Sequence, residues 1–228
     1  MIFCIIVLFN DISQMIAVIK GDIIQSRKVK DPERWLIPLK DLLATWGNYP
    51  KDWEVVWGDF FQLELLNPSK ALDAAFQIKA LIKSIVPEDT KKQISPIDVR
   101  MAIGIGDKSY AGSHISESNG QAYVFSGEKF EKLKKEKSTL ALKSPWVDFD
   151  AEMNLYLRLM ATFMDKWSVS SGEMVLTMLQ KPQATQAEIG ELLGIKQNSV
   201  SGRWNRAHVE EMMEVNQIFK EKINLKMP

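Results

Sequence analysis

Short apolar runs and helical stripes alternate along the first two thirds of the chain. Met15 to Gly21 is an apolar run closed by glycine and reads as a strand. Asp31-Pro32 then supplies an N-cap and a proline at the first helical position. The stripe Trp35, Leu36, Leu39, Leu42, Leu43 and Trp46 predicts a helix up to Gly47-Asn48, which Pro38 is expected to kink or split. Val55-Val56-Trp57 leads into a hairpin and Phe61-Gln62-Leu63 leads out, with Gly58-Asp59 at the tip. Gly58 allows the positive φ such a turn often needs. Asn67-Pro68-Ser69 opens a second helix whose apolar positions from Ala71 to Ile85 are dense enough for burial, and a polar loop spans 87–96. Asp98 to Ile105 reads as a strand that Gly104 and Gly106 should end. A Ser- and Gly-rich loop over 107–119, a helix from Gln121 to Lys135 and a short strand at Thr139 to Leu142 follow.

Strand, helix, hairpin, helix, strand, helix, strand is the order of an α+β sheet with helices on one face, close to a ferredoxin-like arrangement. That arrangement places the Met15 strand beside the hairpin, so Asp22 and Asp59 share one edge of the sheet. Two carboxylates a few ångströms apart repel; they would carry raised pKa values or hold a cation such as Mg²⁺. Gly-Asp is also ordinary turn chemistry, and Asp is common at strand ends.

Beyond Ser144 the strand signal stops. Residues 1–14 read as an apolar extension, 15–143 as the α+β domain, 144–150 as a linker and 151–228 as a helical domain. Its first helix, Ala151 to Lys166, places Met153, Leu157, Met160, Ala161 and Met164 inward, and Ser170 with Glu173 has capping-box spacing. Thr185 with Glu188 has it too. The helix they open stops at Gly194 and restarts within a few residues, so 185–206 predicts a helix-turn-helix. Gly190 is small where the helices cross, and Ile189, Leu193, Ile195, Val200 and Trp204 can close the core between them. The second helix then exposes Gln197, Asn198, Ser201 and Asn205 to base edges, and Arg203 and Arg206 to phosphates. The apolar stripe of the last helix, Val209 to Ile223, is either core or a dimer seam.

Composition narrows the partners. The 228-residue chain is 46% hydrophobic with net charge zero, which gives no global electrostatic argument for nucleic acid or membrane. The helical domain carries nine basic and nine acidic residues, so a monomer should bind DNA weakly and a homodimer on two half-sites would repair this. The lysines at 129, 132, 134, 135 and 137 read as a solvated face. With Cys4 the only cysteine, no intrachain disulfide can form and a cytoplasmic location is favoured. His114 and His208 make no zinc pattern. The run Met1 to Phe9 is too short to span a bilayer and lacks signal-peptide features; it reads as an edge strand or as sequence upstream of a natural start at Met15.

The stretches MIAVIKGDIIQSR, WGDFFQLEL, VRMAIGIGD, SNGQAYVFSGEKFEKLK and TQAEIGELLGIKQNSVSGRW resemble the SatD family of bacterial proteins, viewed as regulators. The resemblance spans Met15 to about Phe219. More distantly, the first domain is similar to the class III nucleotidyl cyclase fold. There an Asp-Ile pair after the first strand and a Gly-Asp hairpin supply two metal-binding aspartates, matched by Asp22-Ile23 and Gly58-Asp59. The resemblance implies Mg²⁺ or Mn²⁺ at Asp22 and Asp59 and a nucleotide ligand. It fails at the helix Asn and Arg that cyclases use on ribose and phosphate, where Val124 and Glu128 stand; a glutamate opposes developing negative charge. The expectation is therefore a cytoplasmic DNA-binding regulator with a cyclase-like sensory or dimerisation domain and no catalytic residues. The alternatives are a metal-dependent nucleotide-binding or phosphodiester-forming enzyme and a protein-interaction module.

Overall fold

A computed structural model describes residues 14–56, 58–86, 95, 97–136 and 138–227. The apolar run at 1–9, Trp57 at the hairpin and most of the 87–96 loop lie outside the described residues. The chain is a mixed α+β fold built around β1 (Met15–Ile24), which pairs antiparallel with β3 (Phe60–Leu65) on one side and β4 (Asp98–Tyr110) on the other. Strand β2 (Trp53–Val56) continues the sheet beyond β3. The two-residue β5 (Asn119–Gly120) and the parallel β6 (Leu140–Lys143) both pair with β4. The order is β2-β3-β1-β4-β5, with β6 against β4.

Side chains alternate across a strand, so β1 serves two cores. Ala17, Ile19 and Ile23 pack with α1 (Glu33–Ala44) and α2 (Ala71–Lys83); Ile16 and Val18 pack with Ile115, Ala122 and Tyr123 beneath α3 (Gln121–Glu136). Helices were expected on one face only. They cover both, because Ala102 of β4 and Ala141 of β6 offer a second apolar strip that Phe130 and Leu133 of α3 bury.

Several details also differ from expectation. Asp22 lies within β1 rather than after it, since pairing with β4 continues to Ile24↔Asp98. β4 runs through Gly104 and Gly106 instead of ending there; α3 crosses so close to Gly104 that a Cβ would stand 2.0 Å from the Ala122 carbonyl oxygen. Of the kink or split expected at Pro38, the split does not occur: α1 continues through it, anchored by buried Trp35, Leu39, Leu42 and Leu43. The cap of α5 (Val169–Gln180) is Ser168, whose side chain accepts from Ser171 N, not Ser170.

The remaining helices are α4 (Val147–Met164), α6 (Gln186–Leu192), α7 (Gln197–Ala207) and α8 (Val209–Lys226). Helix α4 begins inside the segment expected as a linker; Phe149 is buried, and Ser144 Oγ donates to Asp150 Oδ1 at 2.6 Å. One apolar core runs from the sheet through α2 into α4, α5, α7 and α8. Buried Val209, Met212, Phe219 and Ile223 put the stripe of α8 in that core. Among the described residues, no helix is long and apolar enough to cross a membrane.

Candidate functional site

The strand register gathers polar side chains on the sheet face that α3 only partly covers. Asp22 lies opposite Phe60 and Arg100; Lys20 lies opposite Gln62 and Ala102; Gln62 lies opposite Glu54, and Val18 opposite Glu64. Directly opposed residues share a face. Apolar neighbours on the other face hold these strands in the core, so the polar groups stand on a rigid platform.

Asp22 and Asp59 do meet at this edge. The Ile23 amide donates to the Asp59 carbonyl at 3.0 Å, and Ser26 Oγ donates to Asp59 Oδ2 at 2.9 Å. Asp22 Oδ1 lies 3.8 Å from Arg100 Nε, yet it is buried and accepts no hydrogen bond. Burial pushes the Asp22 pKa above the ordinary carboxylate value and the Asp59 charge adds to this, while Arg100 and Lys134 oppose it. Two carboxylates with an unsatisfied oxygen fit a divalent cation of the Mg²⁺ type, which is commonly held by one or two carboxylates with water or phosphate completing the shell. Among the described residues no group of three or more His, Cys, Asp or Glu assembles here. Asp22 and Asp59 would hold such an ion, and it would supply charge neutralisation for a phosphate.

The two α3 positions that depart from the cyclase pattern are not aimed at these acids. Val124 is half exposed, and Glu128 pairs with Lys143 on β6.

Sequence reasoning missed two further groups on this face. Glu64, 3% exposed, takes Lys108 Nζ at 2.7 Å on each oxygen and also accepts from the Tyr123 hydroxyl. Burial and the neighbouring Glu64 push the Tyr123 pKa far up, so the phenol stays a donor. Glu54 lies 2.7 Å from His114 Nδ1 and tethers the 111–118 segment to β2. The signal that could have found them is charge at a strand position flanked in sequence by core residues of the opposite parity, as Glu64 is by Leu63 and Leu65 and Glu54 by Trp53.

The Glu54–His114 contact has a pH window. Burial alone would raise Glu54, but bonds from His114 and Ser116 hold it below its ordinary 4.5. The bond to Glu54 raises His114 above 6.5, with nearby Glu117 adding to it. The His114 contribution is full below 6.5 and fades as pH rises through the raised value. The Glu54 contribution is full above 4.5 and fades as pH falls through the lowered one. An NMR titration should therefore place His114 above ordinary histidine, and Glu54→Gln should return it to the ordinary range. An unshifted His114 in the parent protein would remove this tether.

The second candidate is the α6–α7 pair. Thr185 N donates to Glu188 Oε2 at 2.7 Å, and Glu188 N returns a bond to Thr185 Oγ1 at 3.3 Å, closing the expected capping box. Gly194 makes the turn at φ +64°, and a Cβ on Gly190 would lie 2.7 Å from the Ile195 carbonyl oxygen. Ile189 and Val200 are buried; Leu193, Ile195 and Trp204 pack partly buried against the same core. Helix α7 contains no acidic residue. Its first turn exposes Gln197, Asn198 and Ser199, while Ser201 is half-buried and Asn205 and Arg206 are exposed.

Arg203 is placed differently from Arg206. Its Nη1 lies 3.1 Å from Glu173 Oε2 and 3.4 Å from the Ser170 carbonyl, and only 18% of the side chain is exposed. It clamps α7 to α5. Arg206 and Lys196 are exposed and, among the described residues, pair with no acid.

Comparison of the chain with protein-family models finds no family that matches, and comparison with curated proteins finds no significant match.

Proposed function

We propose that this chain is a DNA-binding regulator of the SatD type. In this reading a ferredoxin-like, cyclase-related sheet unit carries a helix-turn-helix formed by α6 and α7, and the protein acts in the cytoplasm. The observation that carries it is α7 itself: an acid-free helix, anchored by Val200 and Ala207, whose outer side presents amide and hydroxyl groups with a free arginine. Such side chains suit base edges in a major groove, and the arginine suits a phosphate. Gln197, Asn198, Ser201 and Asn205 are the base readers and Arg206 the phosphate contact. Arg203 reaches a phosphate only by releasing Glu173, so its primary role is to set the angle of α7. Because the helical region is charge-balanced, binding requires two copies on half-sites about 34 Å apart.

The discriminating variant is accordingly Arg206→Glu, since Arg203→Glu also breaks a fold contact. Arg206→Glu is expected to weaken binding to duplex DNA at least tenfold and to lower the salt dependence, with the thermal melt unchanged. Equal affinity of the variant and the parent, measured by fluorescence anisotropy, would contradict the assignment.

A second reading concerns ligand sensing at the sheet edge, and the buried Asp22 Oδ1, which accepts no hydrogen bond, favours it. Here Asp22 and Asp59 hold Mg²⁺ or Mn²⁺ and a nucleotide, without the transition-state cation that turnover would need. A raised carboxyl pKa means the folded state holds the proton more tightly, so stability falls as pH climbs through that range and the cost is full above it. Asp22→Asn should then raise the melting temperature at neutral pH in chelator and abolish any stabilisation by Mg²⁺ with nucleotide. A lower melting temperature in chelator would show instead that Arg100 needs the charge. Release of pyrophosphate that disappears in Asp59→Asn would point to an enzyme.

A further inference from the structure

The polar sheet face contains two lysines with opposite fates. Lys108 has its acid, Glu64, at 2.7 Å. Lys20 has none: its Nζ donates to the Tyr123 carbonyl at 3.3 Å and, among the described residues, pairs with no carboxylate. The register explains this. Its cross-strand neighbours are Gln62 and Ala102; the next acid outward, Glu54, is engaged by His114, and Asp22, two residues along, faces Arg100. A half-buried ammonium satisfied by a single carbonyl retains donors with nothing to meet.

Those donors open into a cleft. Lys20, Gln62, Ser118, Asn119, Val124 and Gly127 line a space of about 380 Å³ between β1, β3 and the first two turns of α3. That size falls toward the lower end of ligand pockets, roughly 300–1,000 Å³. Among the described residues Lys20 is the only charged one in its lining; the other polar side chains there are hydroxyl, phenol or amide groups. Gly127 leaves the wall open: a Cβ there would sit 3.3 Å from Lys20 Nζ. The positive end of the α3 dipole lies alongside.

We propose that this cleft binds a small phosphorylated molecule, its phosphate on Lys20 with the Gln62 and Asn119 amides and its organic part against Val124 and Gly127. A phosphate uses donors arriving from three elements, Lys20 on β1, Gln62 on β3 and Asn119 on β5, more fully than a planar carboxylate does. The site is separate from the α7 surface and needs no metal, so it stands or falls independently of DNA binding and of a cation at Asp22.

The test is calorimetric titration of the full chain with inorganic phosphate and with adenosine monophosphate, both in excess chelator so that metal binding cannot contribute. Saturable binding of at least one probe in the micromolar to millimolar range is expected. Lys20→Met should weaken it roughly tenfold or more, the worth of a charged hydrogen bond. Val124→Trp, at a half-exposed rim position that cannot unfold the core, should block the nucleotide by filling the mouth; it decides the matter if Lys20→Met does not fold. Absence of saturable binding by both probes at millimolar concentration would overturn the proposal, as would affinity unchanged in a folded Lys20→Met variant or in Val124→Trp.

Discussion

Replacing Asp98 and Asp165 together by alanine is expected to cost about 3–5 kcal/mol of stability, the range for stranding a buried charge. Lys79, with 2% of its side chain exposed, reaches both acids at 2.6 Å. Lys83 is buried beside it, donating to the Asp165 carbonyl at 2.7 Å and lying 3.4 Å from Asp98 Oδ2. Thr139 Oγ1 adds a bond to Asp165 Oδ1 at 2.7 Å. The cluster thus bolts α2 to the start of β4 and to the C-terminal end of α4, where cations also favour the helix dipole. Each single alanine variant leaves Lys79 one acid and should cost much less than half the double loss, a non-additivity that marks a shared partner. Lys79→Met should cost less than the double variant, because Asp98 and Asp165 are 18% and 35% exposed and can recover water. Urea unfolding of the four proteins measures this. A double variant within about 1 kcal/mol of the parent would mean that Lys79 finds solvent, contrary to its place in the core.

Gly104→Ala should be the most damaging single methyl addition on the sheet. The new Cβ would stand 2.0 Å from the Ala122 carbonyl oxygen and 2.4 Å from the Ser126 amide nitrogen. Both are backbone atoms, so no side-chain rotation relieves the clash; α3 must lift. Overpacking typically costs about 1–3 kcal/mol, and a backbone clash belongs at or beyond the upper end. Lifting α3 also opens the face where Tyr123 meets Glu64. Hydrogen exchange should show lost protection in α3 with α2 largely unaffected. Unchanged stability and unchanged α3 protection would contradict the close crossing.

Much of this architecture was visible in the pattern of residues. The strands, the hairpin and the dense apolar face of α2 follow from local periodicity. The Thr185–Glu188 box and the Gly194 turn follow from capping and backbone rules, which act within a few residues. What was not visible depends on partners far along the chain. The pattern of apolar positions says nothing of Lys79 and Lys83, because the acids that hold Lys79 lie 19 and 86 residues away. The role of Gly104 looked terminal because α3, which needs its missing Cβ, comes later. Arg203 looked free because Glu173 seemed to belong to a capping box, whereas the helix is capped two residues earlier by Ser168. The Asp22–Asp59 meeting was legible from topology; the uncompensated Lys20 between Gln62 and Ala102 became legible only with the register.

The central claim is that α7 reads duplex DNA. The most direct measurement is selection from a pool of randomised duplexes at low and moderate salt, using the full chain and its Arg206→Glu variant. Enrichment of a two-fold symmetric site with half-sites about one helical turn apart, absent from the variant, is the predicted result. A pool that remains unenriched by the parent protein even at low salt would contradict it.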